Sequence, residues 1–311
     1  MRFLPKLLVF LVLIAALVSA PAAKRPEPRS FPGADTETYK RGDGYELLVH
    51  IFKPPGHTAT ERRPAIVFFF GGGWKSGNPG QFEQQCRYLA SRGMVALTAE
   101  YRILGKHGTP AKYCVTDGKS AVRWVRANAA RLGVDARRVA AGGGSAGGHV
   151  AACTGVISGF DEPGEDRAVD SVPDAMVLFN PALVLAEMPD GRLPFSQEKM
   201  DAFPERAGCD PRAISPWHHV AKGQPPTLIL HGREDTTVAF WTAEVFAEKM
   251  RAAGNRCELA GFAGQAHGFF NHGRGGNTMF RATVKRMDAF LVSLDWLKGA
   301  DTVDAFPDGR K

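Results

Sequence analysis

The chain holds 311 residues and a formal charge of +7, of which Arg2 and Lys6 supply two and leave +5 beyond the first 22 residues. Lys and Arg are mixed with Asp and Glu in stretches such as ERRPA and FDEPGEDR. That pattern describes a solvated surface and excludes the one-sided basic stripe that nucleic acid requires.

Arg2 and Lys6 precede an apolar run of twelve residues from Leu7 to Val18, and Ala20-Pro21-Ala22 follows it closely. Such a run is short for a bilayer span, whereas a positive start, a brief apolar stretch and small residues at the cut suit a signal peptidase. A signal peptide is therefore expected over residues 1–22, leaving no stable membrane anchor once cleaved and placing the protein in a secreted or periplasmic location. Residues 23–311 suffice for a single large α/β domain with a full core. The five cysteines, Cys86, Cys114, Cys153, Cys209 and Cys257, are an odd number for an exported chain, so at least one stays unpaired. Cys153 lies in an apolar helical stretch and reads as a buried free thiol; the pairing of the others is open. The sequence contains neither C-x-x-C nor H-E-x-x-H, so zinc finds no local ligand pair, and neither a metal nor a cofactor is expected.

From Tyr45 onward, short apolar runs alternate with helical patterns. YELLVHIFK and PAIVFFF (Pro64 to Phe70) read as strands, the second apolar throughout as in a strand buried on both faces. The loop GGGWKSGNPG follows, then a helix from Phe82 closed by Gly93, then the strand MVALTAEYR. Apolar residues from Cys114 to Leu132 recur at three- and four-residue spacings, the stripe of a helix lying on a sheet. VDARRVAAGGG predicts a strand that runs into a glycine cluster, and AGGHVAACTGVISG a helix leaving it. DAMVLFN and PPTLILHG are further strands separated by a long irregular segment. A helix ending at Gly254, the strand CELAGF and a helix over about 278–297 complete the order. Alternation of this kind implies an α/β fold with a mostly parallel sheet covered on both faces.

The glycine cluster reads AAGGGSAGGH from Ala140 to His149, and within it Gly143-Gly144-Ser145-Ala146-Gly147 spells G-x-S-x-G. A strand, a sharp turn and a helix are the context in which that motif exposes a nucleophilic serine. A serine hydroxyl needs a base to take its proton and a carboxylate to orient the base. Asp235 in LILHGREDTTV and His267 in GFAGQAHGFF follow Ser145 in the required order, each beyond the carboxyl end of an expected strand. Glu234 is the alternative carboxylate and His272 the alternative base. His149 precedes the Asp and breaks the order, so it reads with His218, His219 and His231 as a packing or surface residue. Gly71, Gly72 and Gly73 of FFFGGGW follow the buried strand, where their amides can reach across to the Ala146 amide and bind an oxyanion.

Through FFFGGGW, GGGSAGGH, LILHGREDTTV and GQAHGFF, the chain resembles the α/β-hydrolase fold over about residues 45–297. Within it, the resemblance is to secreted bacterial esterases and lipases related to the hormone-sensitive-lipase and carbohydrate-esterase groups. It implies Ser145 as nucleophile, His267 as general acid and base, Asp235 as its orienter, and Gly72, Gly73 and Ala146 as oxyanion donors. One departure is plain: Phe70 stands where the family carries a His before the three glycines.

The expected function is a secreted serine carboxylesterase. Alternatives are a lipase or general carboxylesterase on lipid or xenobiotic esters, a serine peptidase using the same triad, and a catalytically silent binding protein. The segment 181–217 reads as a cap insertion; its mixed charges, Glu187 to Arg206, suit a soluble, hydroxyl-rich ester better than a membrane surface. Trp74 and Trp217 are candidates to stack on a sugar or an aromatic acid. The partner expected is a small-molecule or polysaccharide ester, short-acyl or hydroxycinnamoyl.

Overall fold

The structure, a computed structural model, describes residues 30–307; the expected signal peptide lies outside them. β1 (Asp35–Gly42) and β2 (Tyr45–Phe52) form an antiparallel hairpin, followed by β3 (Arg63–Phe69), α1 (Glu83–Ser91) and β4 (Val95–Ala99). Next come α2 (Leu104–His107), α3 (Lys112–Ala127), α4 (Ala129–Leu132), β5 (Val134–Gly144), α5 (Ala146–Val156) and β6 (Ala175–Phe179). The chain continues through α6 (Gln197–Ala207), β7 (Thr227–Gly232), α7 (Phe240–Ala252), β8 (Cys257–Phe262) and α8 (Thr278–Val292).

The eight strands make one sheet in the order β1-β2-β4-β3-β5-β6-β7-β8. The β1–β2 and β2–β4 pairs are antiparallel and every other pair is parallel. β3 shows why its sequence is apolar throughout. Ala65, Val67 and Phe69 join one core with Val122 of α3, Val150 of α5 and Phe246 of α7, while Ile66 and Phe68 join the other with Leu89 of α1 and Met287 of α8. A strand covered on both faces has no residue left for water.

Four features depart from the sequence reading. β1 was not foreseen, because DTETYKRG at the sheet edge buries little beyond Tyr39 and Lys40 and so carries almost no apolar alternation. The helix expected to reach Leu132 breaks at Asn128, whose side chain donates to the Trp124 carbonyl at 2.8 Å and competes with the helical ladder. α6 occupies the segment read as irregular; it buries only Phe203 and Ala207 and contains Pro204, so its stripe is faint. α8 stops at Val292 rather than near 297, and Asp295 takes a positive φ of 60° just beyond it. All five cysteines are free thiols, Cys153 among the fully buried ones.

Candidate active site

β5 ends inside the sheet between β3 and β6, and the chain turns sharply into α5. Ser145 occupies that turn at φ 54°, ψ −118°, a conformation that L residues seldom adopt and that marks a functional constraint. The flanking glycines are required by space. A Cβ on Gly147 would lie 2.0 Å from the Phe69 carbonyl oxygen, and one on Gly143 would lie 2.4 Å from that of Gly147. Backbone cannot yield at those distances, so α5 packs against β3 and β5 only without those side chains.

Asp235 follows β7 in a turn where its Oδ1 accepts from the amides of Thr237 and Val238, both at 2.9 Å. His267 follows β8. Its Nδ1 lies 2.7 Å from Asp235 Oδ2 and its Nε2 lies 3.0 Å from Ser145 Oγ. Nδ1 facing a carboxylate is the donor, which leaves Nε2 free to accept from the serine. Burial pushes the Asp235 carboxyl up, but hydrogen bonds from His231, His267 and the Val238 amide outweigh it and hold the group well below its ordinary range. Of the alternatives, Glu234 is exposed, and His272 bonds Asn277 at 3.2 Å and sets its ring edge on Phe280. The structure therefore brings Ser145, Asp235 and His267 together and leaves both rivals out.

The glycine loop follows β3. Gly73 and Ala146 line the same cavity as Ser145; Gly72 is not among the lining residues, and its carbonyl accepts from the Lys75 and Ser76 amides at 3.1 Å each. Among the described residues, no protein acceptor takes the Gly72 or Gly73 amide, and the Ala146 amide is one of the unpaired donors at the start of α5. Phe70 does not leave the loop unbraced. Its ring stacks on Tyr101 with centroids 4.3 Å apart, its carbonyl accepts from the Tyr101 hydroxyl, and the next amide, Gly71, donates to Gln81 Oε1 at 2.6 Å. Gln81 Nε2 in turn donates to Asn271 Oδ1 at 2.9 Å, and Asn271 Nδ2 to the Gly268 carbonyl at 2.9 Å. Gly268 donates its amide to Asn180 Oδ1 at 3.0 Å. One string of side-chain amides thus ties the glycine loop to the His267 loop. Its members were not singled out in the sequence, since an Asn or Gln in a loop bears no motif.

The cavity at Ser145 has a volume of about 260 Å³. Trp74 lines it, buried and at a positive φ of 59°, with its indole N–H donating to His149 Nδ1 at 3.0 Å. Phe203 and the Arg206 guanidinium, the latter 5.3 Å from the ring centroid, already cover Trp74, so it serves as wall rather than as a bare stacking face. Trp217 corrects the sequence reading. It is not part of the cavity lining; its indole donates to the Val245 carbonyl at 3.2 Å and its ring lies under the Lys249 ammonium at 3.9 Å. His149 is fully buried, and its Nε2 donates to the Ile214 carbonyl at 2.6 Å.

A mostly parallel sheet with an elbow serine, a histidine and a carboxylate in line beyond its carboxyl edge defines a serine hydrolase of the α/β-hydrolase fold. Comparison narrows the class. The BD-FAE family model matches residues 49–250, and the chain belongs to that family. The dienelactone hydrolase family model matches residues 202–300. The chain is similar to a thermophilic esterase of Thermogutta terrifontis, described with propionate bound, at 48% identity over 86% of this chain and 97% of that one, with a TM-score of 0.82. The same esterase is described with butyrate bound, at 49% identity over 86% of this chain and 97% of that one, TM-score 0.82. Among curated relatives, the carboxylesterase NlhH of Mycobacterium tuberculosis is 27% identical over 75% of both chains. Esterase LipC of the same organism is 28% identical over 68% of this chain, a match that spans 54% of its own length.

Proposed function

We propose that this protein is a carboxylesterase that cleaves short-acyl or hydroxycinnamoyl esters of carbohydrates outside the cytoplasm, through an acyl-enzyme on Ser145. The observation that carries the reading is the line from Ser145 Oγ to His267 Nε2 at 3.0 Å and from His267 Nδ1 to Asp235 at 2.7 Å, opening on the cavity. Ser145 Oγ attacks the ester carbonyl while His267 Nε2 takes its proton; the amides of Gly72, Gly73 and Ala146 receive the oxyanion; His267 returns the proton to the leaving alcohol. Water then repeats the sequence to release the acid. Asp235, held ionised, keeps the imidazole in its tautomer and stabilises the charge it gains.

A cavity of about 260 Å³ lies below the range of roughly 300–1,000 Å³ typical of drug-sized sites and supports a short acyl group. Propionate and butyrate on the Thermogutta terrifontis esterase support the same length. The export pattern of residues 1–22 supports the location, and the mixed charges of α6 support a soluble substrate. The test is a p-nitrophenyl ester series from acetate to dodecanoate, run beside acetylated and feruloylated xylan and an amide counterpart. The expected result is peak kcat/KM on short chains, release from xylan and no amide cleavage. Peak activity at about ten carbons or more with interfacial activation would establish a lipase instead.

A further inference from the structure

We infer that the cavity selects esters that carry a carboxylate on the acyl or alcohol side, and that Lys199 and Arg206 of the cap helix α6 bind that group; this rests on the ester-hydrolase reading above. The residues lining the cavity include these two cations and no Asp or Glu. Lys199, Ala202, Phe203 and Arg206 are spaced i, i+3, i+4 and i+7, so they share one face of α6, the face turned to Ser145. Seven residues of helix set the two cationic positions about 10 Å apart along the axis, spanning the cavity wall. The acids of α6, Glu198, Asp201 and Glu205, fall about 100° or more round the helix from Lys199, and Asp201 is taken by Gln197 at 2.8 Å.

Lys199 and Arg206 are both solvent-exposed where they line the cavity beside the buried Phe203, and among the described residues neither forms an ion pair with an acid. Arg206 is nonetheless held in place. One of its nitrogens donates to the Gly73 carbonyl and its plane lies over Trp74, which leaves further N–H donors of the five-donor fork unspent. Partial desolvation of the guanidinium lowers the Arg206 pKa, with no facing carboxylate to offset it. The other titratable groups of the site are His267 and Asp235, and Asp235 is turned into the protein against His231 and His267. An anionic substrate thus meets an uncompensated positive wall in the cavity of the reacting serine, of which Arg206 is the fixed part and Lys199 the solvent-exposed part.

Two partly exposed charge pairs correspond to a preference of about five- to tenfold in kcat/KM. The experiment uses two matched probe pairs: mono-p-nitrophenyl glutarate against p-nitrophenyl pentanoate, and the acetate ester of 3-(4-hydroxyphenyl)propanoate against that of its amide. The first varies charge on the acyl side, the second on the alcohol side. The expected result is an anionic-to-neutral ratio of about five or more in at least one pair at low salt, shrinking in about 0.5 M NaCl as screening predicts. Lys199→Gln lowers that ratio and Lys199→Glu reverses it; Arg206→Gln lowers it again. A ratio at or below one in both pairs overturns the inference, and so does a ratio that Lys199→Gln and Lys199→Glu leave unmoved. Failure of the wild-type protein to cleave any of the four probes overturns the carboxylesterase reading itself, a different result from cleavage without charge preference.

Discussion

Ser145 at φ 54° exposes its hydroxyl at the cost of backbone strain, and the strain is tolerated because β5 and α5 hold the turn from both sides. Ser145→Ala removes the attacking oxygen and little packing, so turnover falls by several powers of ten while the unfolding midpoint stays near that of the wild type. Retention of more than about a tenth of the activity would remove Ser145 from the nucleophile's role. His267→Ala is expected to be as damaging, and His272→Ala to keep most of the activity, because His272 contacts Asn277 and Phe280 rather than the serine. The reverse pattern would transfer the base to His272. His149 titrates with stability rather than with catalysis. Its Nδ1 accepts from Trp74 and its Nε2 donates to Ile214, so a second proton breaks the Trp74 bond inside the core. Burial lowers its pKa from 6.5 to about 4. The unfolded chain therefore binds more protons between pH 6.5 and 4, and stability falls as pH drops through that window, by about 2 kcal/mol at pH 5 from this residue. Urea unfolding at pH 7 and 5 measures the loss. A slope that His149→Gln leaves unchanged would show that other groups carry it.

At the scale of elements, the proposed mechanism requires the loop after β3 and the loop after β8 to be held in register, since it draws the oxyanion amides from one and the base from the other. Gln81 does this by accepting from Gly71 and donating to Asn271, whose own amide grips the Gly268 carbonyl. It acts through those loops, not on the substrate. Losing a donor outright costs about a hundredfold or more in a well-studied protease, so Gln81→Ala, which only loosens the donors, is expected to lower kcat roughly tenfold with little change in KM. Steady-state kinetics on p-nitrophenyl butyrate read the split, and Gln81→Glu tests the geometry, because it keeps the acceptor for Gly71 and loses the donor for Asn271. A rise in KM at constant kcat would make Gln81 a binding residue and contradict the bracing role.

For the molecule as a whole, the division of labour follows the sheet. Catalytic groups sit on short turns at the carboxyl edge of a doubly covered core, whereas α6 and its flanking loops lie over that edge with few buried residues. Replacing residues 186–205 by a short Gly-Ser linker removes from the core only Ala186, Met188, Pro194 and Phe203. Relative kcat/KM among a panel of esters is therefore expected to shift by about tenfold or more while the core unfolds at a similar denaturant concentration. Equal scaling of all substrates would deny the cap a part in selection.

Local chemistry was enough for some of this. β3, β7 and the second half of β5 are buried on both faces, so Phe68, Ile229 and Ala141 sit in apolar runs that betray the strands without any partner in view. The G-x-S-x-G turn is legible for a similar reason: Gly143 and Gly147 answer a contact made within a few residues of Ser145. Asp235 and His267 were legible by order and by their place after strands. What depended on the tertiary fold was every contact between segments distant along the chain. Gln81 reaches Asn271 across 190 positions, and nothing near either residue announces the other. Trp74 and Trp217 look alike in sequence, yet only one neighbours Ser145, because their surroundings come from α5 and α6 for the first and from α7 for the second. β1 and α6 escaped notice since each buries too little to impress its period on the sequence, and the cationic face of α6 acquires meaning only when folding turns it towards the serine.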